Sequence, residues 1–392
     1  MAGQGSKSKK TKEDKGEVMG FSIPCTPKEL KEITKAGRVP AINDFEQEYM
    51  NSGSHVTQKQ FIALRIVVRE SLKAHALENP TRLEMYGLHE KWEEARQIVA
   101  DDPEFRAYIN LVTQDKPVRN LEKDSALYPG SLKNLRYAQE QTCTLKGVHD
   151  RDRPMTLIRK SPRESTQRFR DRFRNTFRSQ KKSSGDTVSE SSVSSSVSDA
   201  TPRTYDVNPA SYDDAEHEIT PNVALILLLQ GILDLIPGLE LEWVFDPTNF
   251  KAQFDKASYT AKTDATLRSR IDREPISFVE VKKRVRTKET DEILMQEGAE
   301  AVGWLLHNRD HIVLKKQHWV YVTFLDCHDD YFDYLDKRKG KVTDNAYLNM
   351  QTFGPWRTDK GAAMESFAVL MVAFHLLARD KYLQPAEATQ QS

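Results

Sequence analysis

A glutamate and a lysine two residues apart interrupt an otherwise apolar stretch of the chain. The stretch runs from Ile276 to Arg284, and Glu280 and Lys282 stand where its pattern calls for apolar residues. Its β-branched and aromatic residues predict a strand, in which successive side chains alternate between the two faces of a sheet. Glu280 and Lys282 are then expected on one face, about 7 Å apart. Charges in a strand that is apolar on both faces have to be paired, bound to metal or placed at the open end of the sheet.

Asp264 is the second carboxylate that could take part in this chemistry, because it lies sixteen positions before Glu280. If the two strands form an antiparallel hairpin that turns near Asp272, the carboxylates lie roughly opposite each other, with Cβ atoms about 5 Å apart. Two carboxylates at that distance repel each other unless a cation lies between them, and Mg²⁺ or Mn²⁺ suits such oxygen ligands. The ion would stabilise charge developing on a phosphodiester, and Lys282 would orient or help deprotonate the attacking water.

The segments around these residues predict an α/β domain over residues 205–385. Thr220-Pro221 predicts the start of a helix that ends near Leu235. Further elements are predicted in this order: strands over 239–245, 265–267 and 276–282, a helix over 290–307, strands over 319–325 and 331–335, and a buried helix over 360–377 that follows the break at Gly354-Pro355. This order predicts a mixed central β-sheet flanked by helices.

Asp264 and the triplet Glu280-Val281-Lys282 together resemble the core motif of the PD-(D/E)XK nuclease superfamily, with Thr263 where proline often precedes the aspartate. The segment Phe353-Gly354-Pro355-Trp356 before a long apolar helix is similar to nuclease-like domains that are common in fungal genomes. The resemblance covers residues 205–385. It implies a restriction-endonuclease-like α-β-β-β-α-β core, hydrolysis of DNA or RNA, and Mg²⁺ or Mn²⁺ as the cofactor.

The resemblance also implies roles for residues outside the hairpin. In this superfamily the helix after the motif often carries a Gln or Glu that faces the site, which points to Gln296, with Glu300 one turn further on. A glutamate of the first core helix often joins the metal ligands, and Glu218 is the best candidate, with Glu216 next, although Glu218 lies just before the predicted helix start. The predicted metal ligands are therefore Asp264, Glu280 and Glu218, and the predicted catalytic residues are Lys282 and Gln296.

Residues 21–145 predict a helical module that precedes the α/β domain. Capping residues and apolar spacing predict helices that begin at Thr26-Pro27 and that cover residues 57–77, 81–100 and 102–112. We find no catalytic constellation in this range, so the module is a candidate docking site for a protein partner.

Residues 146–204 predict a linker with two parts of opposite character. Twelve Lys and Arg residues stand against three Asp and Glu residues between 151 and 182, and Phe169, Phe173 and Phe177 recur among them. On a helix the rings would form one stripe on a basic surface, suited to nucleic acid first, and also to an anionic membrane or a partner's groove. The alternative is a solvated tether whose rings dock on a neighbouring domain. The serine-rich second part predicts disorder.

Composition restricts the class of protein more than it restricts the function. The formal net charge of the 392 residues is zero, so overall charge indicates no partner. Three widely spaced cysteines suit a reducing compartment, and the Lys-rich tail over residues 1–20, which is solubilising or a nuclear import signal, contains no apolar signal sequence. The apolar run over residues 223–236, interrupted by Gln230 and Gly231, is too short to span a membrane. The expected location is intracellular, nuclear or cytoplasmic.

Three functional hypotheses remain open at the level of the sequence. The first is a Mg²⁺-dependent nuclease that uses the residues named above. The second is a catalytically idle protein of the same fold that binds nucleic acid or another protein, because one fold hosts many functions. The third is a helical adaptor in which residues 21–145 carry the activity.

Overall fold

The computed structural model describes residues 17–18, 21–116, 118, 121–142, 219–245, 247–281, 290–307, 313–316, 319–336 and 342–382. The whole predicted linker, residues 146–204, lies outside the described residues. The same holds for the predicted tail, residues 1–20, apart from Glu17 and Val18. The predictions made for the linker and for the rest of the tail therefore stay predictions.

The first half of the described chain consists mainly of short helices with capped starts. Its elements are α1 (Pro27–Ala36), α2 (Gln58–Ala63), β1 (Ile66–Val68), α3 (Pro80–Met85), α4 (His89–Asp101), α5 (Pro103–Gln114) and α6 (Lys133–Thr142). The Thr26 hydroxyl accepts a hydrogen bond from the Glu29 N–H at 3.2 Å, which confirms the predicted start of α1. Asp102 caps α5 in the same way, through the Phe105 N–H at 2.7 Å.

The long helix predicted over residues 57–77 is wrong beyond Ala63. Arg65 adopts φ +54°, a left-handed backbone conformation that a right-handed helix cannot continue through. The chain then enters β1 and later a 3₁₀ turn at Ala74–Glu78. The apolar spacing that suggested one helix therefore belongs to three short elements. The helix predicted over 81–100 is likewise divided into α3 and α4, at Gly87, whose φ is +69°.

The second half of the described chain alternates between strands and longer helices. Its elements are α7 (Ile219–Leu233), β2 (Leu241–Val244), β3 (Asn249–Gln253), β4 (Ser258–Lys262), β5 (Ala265–Ser269), β6 (Pro275–Val281), α8 (Thr290–His307), β7 (Val313–Lys316), β8 (Trp319–Cys327), α9 (Asp329–Leu335), β9 (Leu348–Arg357) and α10 (Gly361–Tyr382). The predicted helix over 290–307 is confirmed with both of its bounds.

The strand predicted over residues 331–335 is wrong, because this segment is helix α9. Two acidic residues occupy its first turn, where the helix dipole favours negative charge, and His328 caps its start through the Asp330 N–H. Its buried residues are Tyr331, Tyr334 and Leu335, which follow helical spacing.

Seven strands form one mixed sheet in the order β1-β9-β8-β7-β6-β5-β2. The pairs β1–β9 and β6–β7 are parallel, and the other neighbours are antiparallel. Strands β3 and β4 form a separate antiparallel hairpin. The predicted mixed sheet flanked by helices is therefore confirmed. The sequence analysis did not identify β1, β3, β4, β7 or β9 as strands.

Hydrophobic clusters cover both faces of the sheet. On one face, which we call the α10 face, helices α4, α5, α7 and α10 pack against sheet residues such as Leu267, Val279 and Phe324. On the other, the α8 face, α2, α8, α9 and the β3–β4 hairpin pack against Phe278 and Met350. Strand β6 contributes Val279 to one face and Phe278 to the other. This confirms that β6 is buried on both sides, as its apolar alternation predicts.

The described residues before 143 and after 218 belong to one compact unit, although the sequence suggests separate domains over 21–145 and 205–385. Strand β1 extends the sheet by pairing with β9 from Ile66↔Leu348 to Val68↔Met350. The buried hydroxyl of Tyr331 donates to the Leu64 carbonyl at 2.7 Å, across 267 positions of sequence. The helical segment therefore completes the sheet and its core, because β9 would lose a neighbouring strand without it.

Within the described part of the chain, only α10 is long and apolar enough to cross a membrane by length and composition. Within the most apolar 18-residue window of α10, 72% of the window is buried inside the protein. The helix packs there against α4, α5 and α7. This burial is consistent with the expectation that the chain does not span a membrane.

Candidate functional site

The β5–β6 hairpin places Asp264 beside the backbone of β6. Ala265 pairs with Val279 in the antiparallel ladder, and the Asp264 N–H donates to the Val279 carbonyl at 3.0 Å. The predicted hairpin is therefore confirmed. Asp264 precedes Ala265 and Glu280 follows Val279, so the two acidic positions stand at the next step of the same ladder. The close approach of their carboxylates stays a prediction, because the side chain of Glu280 lies outside the description.

The turn of this hairpin fixes the register through its own polar contacts. The Ser269 N–H donates to the Glu274 carbonyl at 3.1 Å, and the Glu274 N–H donates to the Asp272 carboxylate at 3.1 Å. The bond from the Glu274 backbone, followed by the bond from the Ser269 hydroxyl, lowers the pKa of Asp272. The turn and the register shift between Leu267 and Arg268 together determine which residue of β6 lies beside Asp264. The turn near Asp272 is as the sequence predicts.

Buried threonines hold the chain on both sides of Asp264. The Thr263 N–H donates to the Thr248 carbonyl at 3.1 Å, and the hydroxyls of Thr248 and Thr266 lie 2.9 Å apart. Thr263 and Thr266 are buried, whereas Asp264 itself is partly exposed. The backbone at Asp264 is thus anchored from Thr263 and Thr266, and the residue itself is partly exposed.

Helix α8 carries the second group of predicted residues, and here the structure brings two of them together. The Gln296 side-chain amide donates to a Glu300 carboxylate oxygen at 2.7 Å. Glu300 is fully buried, and Glu297 is 3% exposed. Glu300 therefore does not lie on a solvated face of α8. Buried carboxylates are costly, so a helix that keeps two of them is a candidate for a functional role.

Close packing fixes α8 against three neighbouring elements. Gly298 lies so near α2 and β1 that a Cβ there would be 2.7 Å from the Ile66 Cδ1 atom and 2.9 Å from the Phe61 Cε2 atom. The hydroxyl of Tyr259 on β4 donates to the Ala299 carbonyl at 2.7 Å. Burial raises the pKa of Tyr259 well above its ordinary value, and the charge of Glu300 raises it further. Tyr259 is therefore a neutral donor beside the buried glutamate.

The structure does not place the other predicted site residues. Lys282, Glu218 and Glu216 lie outside the described residues. Glu280 itself is placed by backbone register, opposite Lys315 in the parallel pairing of β6 with β7. Sequence reasoning missed Lys315 because it did not identify β7 as a strand. The signal was the segment Val313-Leu-Lys-Lys after α8, where a helix that follows a buried strand calls for a parallel partner.

The described residues include part of the candidate metal centre. Within the described residues, no group of three or more His, Cys, Asp or Glu side chains is placed to hold a metal ion. Of the three predicted ligands, Asp264 is the one whose side chain is described. The predicted set of three carboxylates fits Mg²⁺ or Mn²⁺ by its chemistry, because hard cations prefer oxygen donors.

Comparison with known proteins finds no matching family model, no matching curated protein and no matching solved structure.

Proposed function

We propose that this chain is a metal-dependent nuclease that hydrolyses phosphodiester bonds in DNA or RNA. One observation carries the proposal: the backbone hydrogen bond from Asp264 to Val279, which continues the ladder past the pair Ala265↔Val279 and sets the position of Asp264 opposite that of Glu280. Paired carboxylates on adjacent strands of a central hairpin are suited to holding a cation against a phosphodiester. The triplet Glu280-Val281-Lys282 supplies an amine next to them in the sequence.

The order and pairing of the elements support the same proposal. Helix α7 is followed by the antiparallel strands β2, β5 and β6, then by α8 and by β7 in parallel with β6. This pattern resembles the α-β-β-β-α-β core of the PD-(D/E)XK nuclease superfamily. The β3–β4 hairpin and the strands β8, β9 and β1 would be additions to that core.

Each residue has a defined role in this proposal. Asp264, Glu280 and Glu218 would hold Mg²⁺ or Mn²⁺, and the ion supplies stabilisation of negative charge on phosphate oxygens when it is bound. Lys282 would orient the attacking water and ease the loss of its proton. Gln296 would position groups at the site, and Glu300 would hold the Gln296 amide through their 2.7 Å hydrogen bond.

The proposed partners follow from the substrate and from the local positive charge of residues 151–182. The Arg-rich segment over residues 151–182 would contact phosphates without reading bases, so binding to nucleic acid would weaken steeply as salt rises. A protein partner for the helical segment remains a proposal too. Its binding surface would be the outer side of that segment, since the inner side packs on the sheet.

A cleavage assay with the full chain tests the proposed activity. Single- and double-stranded DNA and RNA are incubated with the protein and Mg²⁺ or Mn²⁺. We expect cleavage that Lys282→Ala reduces by about 10²- to 10⁴-fold, the range that general acid–base groups contribute, while nucleic-acid binding is retained. Lys283→Ala, which removes the same charge one residue further on, is the matched control and should keep cleavage.

The alternative function has its own outcome in this assay. A folded wild-type protein that binds nucleic acid but cleaves none of the four substrates with either ion would be the catalytically idle binding module. Cleavage that survives Lys282→Ala unchanged would reject the assignment of that residue.

A further inference from the structure

A cavity of about 550 Å³ opens on the α10 face, away from the β5–β6 hairpin. Helix α3 and the residues after β1 form one of its sides, and strands β8 and β9 form the other. Strand β7 separates β8 from β6 in the sheet, so the cavity is distinct from the candidate metal centre. Its volume lies within the range of small-molecule sites, about 300–1,000 Å³.

The apolar wall of the cavity is an aromatic group with a flexible rim. The ring of Tyr86 stacks on Phe324, with centroids 3.9 Å apart and planes 21° apart, and meets the edge of Phe353 at 5.8 Å. Met85 lines the same cavity, and its side chain is 69% exposed. Phe324 and Phe353 are already buried, so a planar ligand ring would cover the accessible parts of Tyr86 and Met85 and remove them from water.

The polar side of the cavity has two guanidinium groups. Arg69 donates through Nε to the Asn349 side-chain oxygen at 3.3 Å, and the Asn349 amide donates to the Asp326 carboxylate at 3.5 Å. Arg82 donates to the Ala76 carbonyl at 2.6 Å. In the described part of the chain, neither arginine forms an ion pair with a carboxylate.

The charges gather around the hydroxyl of Tyr86. Burial raises the pKa of Tyr86, and the charges of Arg82, Asp326 and Arg69 act on the same hydroxyl. Arg69, Arg82 and Asp326 line the same cavity as Tyr86, so two positive groups and one negative group share the cavity with a neutral O–H donor. The arrangement suits a ligand with an anionic end, a flat ring and an amino or amide donor.

We propose that this cavity binds a nucleoside monophosphate, either free or as the phosphorylated end of a strand. Arg69 and Arg82 hold the phosphate, and the ring of the base lies against the accessible apolar surface of Tyr86 and Met85. Asp326 accepts from the exocyclic amine or the ring N–H of the base. The proposal does not depend on the nuclease activity, because none of these residues belongs to the candidate metal centre.

Calorimetric titration of the full chain in EDTA tests this proposal without any contribution from divalent metal. The probes are the four ribonucleoside monophosphates, adenosine and inorganic phosphate. We expect AMP or another monophosphate to bind at least tenfold more tightly than adenosine or phosphate alone, because charge-assisted hydrogen bonds and ring contact act together. Arg69→Gln should weaken that binding about tenfold or more.

Arg96→Gln is the matched control, because Arg96 is an exposed arginine of α4 that lines a different cavity. It should leave the affinity unchanged. Met85→Glu is a second test at an exposed position and should also weaken binding, since it places negative charge at the mouth. Thermal unfolding of each variant establishes that it is folded.

A 5′-phosphorylated trinucleotide identifies the source of the ligand. Tighter binding than the mononucleotide, with the same loss in Arg69→Gln, identifies a strand end, and weaker binding identifies a free nucleotide. The proposal is overturned if no monophosphate binds at millimolar concentration, if phosphate alone binds as tightly, or if the affinity survives both Arg69→Gln and Met85→Glu.

Discussion

His375 should make the stability of this protein sensitive to mild acid. The residue is fully buried in α10, and its Nε2 atom accepts a hydrogen bond from the Trp243 indole N–H at 3.1 Å. An indole N–H is a donor only, so this bond requires the neutral imidazole. Burial lowers the pKa of His375 to about 3. The folded protein therefore keeps the ring neutral at pH values where the unfolded chain protonates it.

The sign and size of the effect follow from this difference. Between the ordinary histidine pKa of about 6.5 and the folded value, the unfolded state binds more protons, so the free energy of unfolding falls as pH falls. Above about pH 6.5, His375 is neutral in both states and does not lower the free energy of unfolding. From pH 7 to pH 5 the loss from this one group is about 2 kcal/mol, and it changes little for any folded pKa below about 4.

The assay is urea unfolding followed by tryptophan fluorescence at both pH values. In His375→Gln the side-chain amide oxygen can still accept a hydrogen bond from Trp243, but the side chain at position 375 no longer titrates. From pH 7 to pH 5 the free energy of unfolding should therefore fall by about 2 kcal/mol less in this variant than in the wild type. Trp243→Phe is the matched control: it removes the hydrogen bond, lowers stability at pH 7 and keeps the pH dependence. Equal pH dependence in the wild type and His375→Gln would refute the reasoning.

Three further predictions concern the packing that joins the two halves of the chain. Gly298→Ala should lower the free energy of unfolding by about 1 kcal/mol in urea titrations. The added methyl group would clash with Ile66 and Phe61 at a cost of about 1–3 kcal/mol, which exceeds the helix-propensity gain of about 1 kcal/mol. A variant that is more stable than the wild type would contradict this prediction. Tyr334→Phe should lower the free energy of unfolding more than Tyr331→Phe does in the same titrations. The Tyr334 hydroxyl donates to the Ala63 carbonyl and accepts from the Ile42 N–H, whereas the Tyr331 hydroxyl donates to one carbonyl, that of Leu64. The reverse order of stability would contradict the hydrogen-bond assignment. Residues 205–392 alone should show no cooperative unfolding transition by circular dichroism, because the fragment lacks β1 and α2; a sharp transition would restore an independent C-terminal domain.

Much of the central architecture could be predicted because it rests on local signals. A threonine–proline start locates α1, apolar spacing locates α8, and apolar alternation locates β6. The β3–β4 hairpin was missed although it has a strand period, with Phe250 and Ala252 buried opposite Tyr259 and Ala261. That signal was present in the sequence.

Other elements depend on long-range contacts that local sequence patterns do not predict. Strand β9 contains Gly354-Pro355, a pair that usually ends an element, yet Gly354 has φ +136° and its N–H donates to the Leu72 carbonyl. Strand β1 has only three residues, and it forms because β9 offers a parallel partner. The same long-range pairing makes the predicted helical module part of the sheet.

The predicted site also has one part that local signals could predict and one part that depends on long-range packing. Register arithmetic correctly placed Asp264 beside β6, because the pairs from Ala265↔Val279 to Leu267↔Ser277 follow simple counting, although the register shifts between Leu267 and Arg268. Whether Gln296 and Glu300 are solvated or buried depends on how α2 and the β3–β4 hairpin cover α8, which their helical spacing does not reveal.

Calorimetric titration of the full chain with Mg²⁺ and with Mn²⁺ tests the central claim most directly. Glu280→Gln removes one proposed ligand charge, and Glu274→Gln, at an exposed position in the turn of the same hairpin, is the matched control. We predict saturable binding that Glu280→Gln abolishes and Glu274→Gln retains. Absence of binding to the folded wild type, or equal binding by Glu280→Gln, would contradict the proposed metal centre.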